Sequence, residues 1–491
     1  MDEKKSPSSA ESFIGSVFKF SISTYVNFII YGFAILITGI FVPPEVNAPV
    51  SLFLNISTLL MNVAILGLDQ SFIRFFGEPP AGLSEKNLFG ICFSLSSSFL
   101  VLLALLGCLV FPDTLSALLG FQLDFNVVPL LFLNAFLLMV ARYFNVAYRM
   151  EQNIKLFTLE SVLMQFFSKL FYLAGAFFAR PVFAMVLCCV GGTAAFVLAF
   201  TFLRRGAILP ERKAFSSGAL RTLLPYGLAL APTAVLLYLN SSFSMVFIKR
   251  VLGDGPQGIF SFASTLSNVV TVVQAGFATF WGAFVYTNYR TEQAKIRRVH
   301  DYLDFIILVF FTLLIIFEDV LFWLLPQYRQ ALSIFPLMML AAVFTILSEG
   351  TVYGISIARR PIFDTIGIAL SLASNIGLCY LLVPRFQLLG AAAALALSSF
   401  LMFLFRTLIA QAFYRTIDHP LKTACALALC IATACLGCIL ADRFLWKGLV
   451  CLAVIGVYCV MYKKELVRCW RLGMDILAGV WTAVFKKKTE Q

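Results

Sequence analysis

Apolar residues run along this chain in blocks of about 20 or more. Short stretches holding most of the charges and prolines separate the blocks. A helix needs about 20 apolar residues to cross a hydrocarbon layer roughly 30 Å thick. By that rule the pattern predicts spans at 14–41, 48–75, 88–111, 127–149, 155–179, 183–203, 218–248, 257–286, 301–325, 331–356, 362–383, 388–412, 422–441 and 444–462. Several are long enough to tilt or to extend past the headgroups. Span 7, "LLPYGLALAPTAVLLYLNSSF", carries Pro225 and Pro232. Each removes a helical hydrogen bond, so this span is expected to bend or partly unwind.

Composition removes the soluble alternative. A chain of 491 residues would suggest about three soluble domains. Here 60% of residues are hydrophobic, 13% are charged, and the mean hydropathy is +0.92. So few charges cannot cover a water-soluble surface of this size. The expected class is an all-α polytopic membrane protein of about 14 transmembrane helices. No cleavable leader is legible, so the polar head "MDEKKSPSSAES" is expected to stay.

The positive-inside rule orients the spans, because one missed span would invert every later loop. With the N-terminus inside, only Arg180, Lys249, Arg250, Arg329, Arg385, Arg443 and Lys447 fall in outer loops. Lys19 and Lys169 fall within the membrane, and the rest of the 37 basic residues fall on the cytoplasmic side. Both termini are therefore expected in the cytoplasm. The net charge of +12 reads as affinity for anionic lipid headgroups, not for nucleic acid.

Catalytic and cofactor chemistry is not legible. The chain has two histidines, His300 and His419, and 12 cysteines, nearly all in apolar segments. Cys435-x-x-Cys438 lacks the second pair or nearby histidine that would complete a metal site, and reads as helix packing. The outer loops are short, and no nucleotide-binding motif is present. These features argue against an enzyme and imply neither a metal nor a cofactor.

Ionisable groups at membrane depth cost about 2.5–3.5 kcal/mol each on insertion scales, so they face a cavity or a partner. Lys169 is the deepest, roughly 21 Å from Lys155 and 16 Å from Arg180 along a helix. It faces a cavity or sits in a structural pair. Lys19, Arg142, Glu160 and Glu349 lie in the inner half of their spans; Lys19 and Arg142 can also snorkel to the surface. Asn240, Gln274 and Asn375 are uncharged polar groups, read as interhelical hydrogen bonds or, for Asn240 and Gln274, as cavity lining. The segment "GLDQSFIRFF" closes span 2 at its cytoplasmic end. Arg74 and the phenylalanines there suit an interface. Asp69 does not, and lies about 140° round the helix from Arg74, too far to pair with it.

An offset of 209 lays Val42, Phe53, Val63, Gly67 and Phe75 on Val251, Phe262, Val272, Gly276 and Phe284. It places span 2 on span 8, as two parallel six-helix halves would. The expected organisation is an N-lobe over 14–204, a basic linker at 205–217, a C-lobe over 218–415, extra spans at 422–462 and a tail at 463–491. In the tail, Leu466, Trp470, Met474, Leu477, Trp481 and Val484 recur at helical spacing among basic residues, as in an amphipathic surface helix.

Four stretches resemble the polysaccharide (O-antigen-type) flippases of the multidrug/oligosaccharidyl-lipid/polysaccharide exporter superfamily. They are "GLDQSFIRFF", "RYFNVAYRMEQNIKLFTLES", "FIKRVLGDGPQGIFSFASTLSNVV" and "NIGLCYLLVPRFQLLGAAAALALSSF". The chain departs from that family at Ser244-Met245, where Asp-Arg is frequent, and near Ala283, where proline is frequent. The resemblance implies two six-helix lobes around a central cavity open to one side at a time. The implied cargo is a polyprenyl-diphosphate-linked oligosaccharide, with membrane lipids and a polysaccharide polymerase or other glycan-assembly proteins as partners. It makes Lys19, Arg142, Lys169, Asn240 and Gln274 cavity candidates. Asp69, Arg74, Glu160 and Glu349 become gate or coupling candidates, with Asp69 closing against a base of the other half. A multidrug or small-molecule exporter of the same superfamily is the alternative.

Overall fold

The computed structural model describes residues 26–77, 79–80, 83–110, 126–204, 217–270, 285, 289–358, 360 and 362–467. Among them there is no strand, and 11 helices are long and apolar enough to cross a membrane. Lys19, Gln274, most of the basic linker and most of the amphipathic tail lie outside the described residues. In chain order the first helices are α1 (Val26–Phe41), α2 (Pro44–Ile65), α3 (Leu68–Phe75) and α4 (Glu85–Leu105). Next come α5 (Val128–Met150), α6 (Ile154–Gln165), α7 (Pro181–Arg204), α8 (Ser217–Leu252) and α9 (Asp254–Ser267). Then follow α10 (Gln293–Leu324), α11 (Phe335–Thr351), α12 (Tyr353–Ile357), α13 (Ile362–Phe413), α14 (Pro420–Ile439) and α15 (Phe444–Met461).

Three expected elements take a different form. Span 2 is not one helix: it stops at Ile65, and Leu66 and Gly67 both turn left-handed (φ 53° and 68°) before α3 begins. Span 5 leaves α-geometry midway, through a π-helical turn at Phe166–Leu170 and a 3₁₀ stretch at Phe171–Phe177. Spans 11 and 12, grouped here as α13, remain two helices that fold back on each other at Gln387 (φ 50°, ψ −128°), so that Arg406 meets Asp364 and a Cβ on Gly390 would stand 2.4 Å from the Leu382 carbonyl oxygen. Span 7 does not unwind: α8 runs through both Pro225 and Pro232.

The chain divides into two compact units. The first holds residues 1–266, 325–329 and 368–394, and the second holds 267–324, 330–367 and 395–491. In the first, the core includes Phe53, Phe72, Leu88, Phe89, Leu131, Tyr143 and Phe196, all at most 2% exposed. Tyr143 meets Phe89 and Phe93 edge-on, at 5.9 and 5.7 Å between ring centroids. The helix break is built into this core. Ser96 Oγ donates to the Ile65 carbonyl at 3.2 Å and shares a hydrogen bond with Tyr143 Oη at 2.8 Å. It thus satisfies one of the carbonyls at the end of α2. A glycine is required because a Cβ on Gly67 would stand 2.2 Å from the Gly227 carbonyl oxygen of α8. Ser71 Oγ strengthens the same seam by donating to the Leu223 carbonyl at 2.9 Å.

The second unit is pinned by buried ions. Lys447, 1% exposed in the first turn of α15, donates to Glu318 of α10 at 2.7 Å and also pairs with Asp319. The sequence reading had put Lys447 in an outer loop. Its burial beside two acids shows that it ties α15 to α10 instead. Arg406 of α13 is similarly buried and reaches Asp364 at 2.6 Å and Glu349 at 3.2 Å.

Gly67→Ala is expected to destabilise the protein by about 2 kcal/mol or more, because it adds a backbone collision to a left-handed residue. Gly191→Ala, inside α7 with nothing within 4 Å, should stabilise it by roughly 0.5–1 kcal/mol. Thermal unfolding of both variants in detergent, followed by tryptophan fluorescence, checks the contrast.

Candidate functional site

The break in span 2 decides where Asp69 goes. Gly67 caps α3, so Asp69 falls in that helix's first turn, where the positive end of the helix dipole favours a carboxylate. Its Oδ1 accepts from the Gln70 backbone N–H at 2.8 Å. Its Oδ2 accepts from Arg142 Nη2 at 2.9 Å and Nε at 3.2 Å. The Asp69 side chain is buried, while the Arg142 side chain is 44% exposed. Arg142 belongs to the first half of the chain. The gate reading expects the partner of Asp69 from the second.

One turn along α5, Asn145 Nδ2 donates to Glu160 Oε2 of α6 at 2.5 Å. Glu160 is 1% exposed. Arg142 and Asn145 share a helix face at i, i+3 spacing. Arg142 also lies within electrostatic reach of Glu160 and of Tyr238 on α8. Asp69, Arg142, Asn145 and Glu160 therefore form one polar line across α3, α5 and α6. Sequence reasoning named three of the four and missed Asn145. The signal was available in "RYFN", three residues after Arg142.

Lys169 sits in the π-helical turn, half-buried, with Cys189 of α7 in electrostatic reach. Among the described residues no carboxylate pairs with it. A π turn adds a residue to one helical turn and redirects the side chains it carries, a feature frequent at functional sites. Asn240 is less available. Asn375 Nδ2 donates to Asn240 Oδ1 and to Ser244 Oγ, both at 2.8 Å, and ties α8 to α13. Arg74 lies over the Phe75 ring at 5.6 Å. In the second unit, Glu349 shares buried Arg406 with Asp364, two residues that the sequence reading had not joined to it.

No protein-family model matches this sequence, and no curated protein does. Solved structures do match over nearly the whole chain. One is described as lipid II flippase MurJ in an inward closed conformation; it shares 14% identity at a TM-score of 0.71, over 91% of this chain and 99% of that one. A multidrug-resistance MATE transporter of the MOP superfamily, inward-facing, shares 15% identity at a TM-score of 0.55, over 81% of this chain and 95% of that one. An outward-facing MATE transporter shares 16% identity at a TM-score of 0.53, covering 84% and 96%. The chain shares the fold of these solved structures.

The Asp69–Arg142 pair is testable by a double-mutant cycle. Asp69→Asn and Arg142→Gln should each destabilise the protein, and the double variant should recover about 1 kcal/mol relative to their sum. The exposed guanidinium keeps the coupling well below that of a fully buried pair. Chemical unfolding of the four proteins in detergent measures it.

Proposed function

We propose that this protein is a transporter that moves a polyprenyl-diphosphate-linked oligosaccharide from the cytoplasmic to the outer leaflet by alternating access. The observation that carries this reading is Lys169. An ammonium near the middle of a span, with no acid paired to it among the described residues, is costly unless a ligand supplies the counter-charge. A diphosphate does so through charge-assisted hydrogen bonds. Arg142 is the second cationic contact: its guanidinium is partly exposed and can be shared between Asp69 and a phosphate. Lys19, Asn240 and Gln274 complete the cavity in this proposal. The lipid tail stays in the bilayer while the head group passes between two six-helix lobes.

Asp69, Arg74, Glu160 and Glu349 are assigned to gating and coupling. When the diphosphate engages Arg142, Asp69 loses its partner, and that exchange distinguishes the loaded from the empty state. The function fits a cell-membrane protein with both termini in the cytoplasm, working beside glycan-assembly proteins in polysaccharide or lipopolysaccharide biosynthesis. A second reading, a multidrug exporter, is favoured by the likeness to MATE transporters. It is also favoured by the aromatic cluster of Phe243, Phe247 and Tyr380, with ring centroids 4.7–6.4 Å apart. Such faces suit organic cations.

Liposomes carrying a fluorescent short-chain polyprenyl-diphosphate sugar separate the readings. Wild-type protein should move the lipid to the other leaflet, and Lys169→Ala should slow that movement roughly tenfold, the loss of one charge-assisted contact. Lys169→Arg should retain part of it. Export of small organic cations with no lipid movement would establish the second reading instead.

A further inference from the structure

The charges buried near the start of α10 do not balance. His300, Asp301 and Asp304 are 4, 8 and 2% exposed, and their nitrogen and oxygen ligand atoms lie within 4.8 Å of one another. Across from them, Lys422 of α14 reaches Asp301 at 3.5 Å and Glu465 at 3.3 Å. Two carboxylates thus share one ammonium, and Asp304 stands beside them without an ion pair to it. Arg297, on the same helix, is already engaged by Asp418 at 2.6 Å. More carboxylates than ammonium groups therefore meet in a largely buried site, which is a costly arrangement.

Two further side chains point to what compensates them. His300 Nδ1 makes no hydrogen bond among the described residues; it stands 3.5 Å from Asp304 Oδ2, too far for a good one. Tyr462, fully buried just after α15, has a hydroxyl without a hydrogen-bond partner among the described residues, within electrostatic reach of Asp301, Asp304 and Glu465. Thr423 Oγ1 reaches Asp304 at 3.5 Å. The separations are long throughout. Ligands about 2.1 Å from a common ion stand roughly 3–4 Å from one another, so small rotamer changes would close this set on a cation.

We infer that His300, Asp301 and Asp304 form a binding site for a divalent cation, with His300 Nδ1 and the two aspartates as direct ligands. One imidazole with two carboxylates suits zinc or manganese better than magnesium or calcium. The Tyr462 and Thr423 hydroxyls hold the carboxylates or a metal-bound water, and Lys422 with Glu465 forms the outer layer. Held by α10 and reached by the Thr423 and Tyr462 hydroxyls, the ion staples α10 to α14 and to the end of α15. This role is structural and independent of the transported cargo.

The test uses the full chain purified in detergent, stripped with a chelator, then dialysed against Mn²⁺ or Zn²⁺ alone. About one ion per chain should bind, and the unfolding temperature should rise with it. His300→Ala and Asp304→Asn should each weaken binding about tenfold or more, whereas His419→Ala should not. Wild-type protein that binds neither metal and unfolds at the same temperature with or without it overturns the site. So does a His300→Ala variant that binds as wild type does. Should those variants not fold, the His419→Ala protein decides alone, since His300 is then its one histidine. Bound Mn²⁺ must show imidazole nitrogen coupling in pulsed electron paramagnetic resonance, and its absence overturns the assignment.

Discussion

An ionised side chain on a membrane-spanning helix has no water to solvate it, so it is stable only where the fold brings it a partner. The described residues are organised around that constraint. In the second unit, Lys447 is held by Glu318 and Asp319, and Arg406 by Glu349 and Asp364. Each cluster joins separate helical segments, and each makes separation expensive, because removing one partner strands a buried charge. In the first unit Asp69 and Arg142 obey the same rule less strictly, with the arginine partly open. Lys169 departs from it, and that departure gives the molecule its candidate site.

Backbone irregularities coincide with these charges. The left-handed Leu66–Gly67 turn comes two residues before Asp69, and the π-helical turn contains Lys169. A regular helix would carry both side chains elsewhere. The energetic cost of the Leu66–Gly67 turn is offset locally: Ser96 Oγ donates to the Ile65 carbonyl, and the Gly67–Gly227 contact lets two backbones pack. Non-helical backbone at membrane depth persists only where its polar groups are satisfied in this way. The same fold in proteins only 14–16% identical to this chain is consistent with packing rules that many sequences meet.

The all-helical, many-span character was legible because it is additive. Each apolar block reports its own preference for the bilayer, and each loop its own charge. Asp69, Arg142, Glu160, Lys169 and Glu349 were legible as singular residues for the same reason: a charge at membrane depth is conspicuous without knowledge of its neighbours. Their partners were not. Asp69 and Arg142 are 73 residues apart, and Lys447 and Glu318 are 129 apart, so no window of sequence contains both. Asn145 escaped because an uncharged amide is ordinary until a buried carboxylate is set against it. His300, Asp301 and Asp304 escaped because two of the groups around them, Lys422 and Tyr462, arrive from helices more than a hundred residues later.

By itself, then, the sequence determined that this chain is helical, spans a membrane many times and carries a few costly charges at depth. Those properties follow from solvation free energies that act residue by residue. Only the tertiary structure decided which charges are neutralised, where helices break and that Lys169 has no acid paired to it among the described residues. Those outcomes depend on distances of 3–4 Å between remote segments, and electrostatic energy in a low-dielectric interior changes steeply over that range.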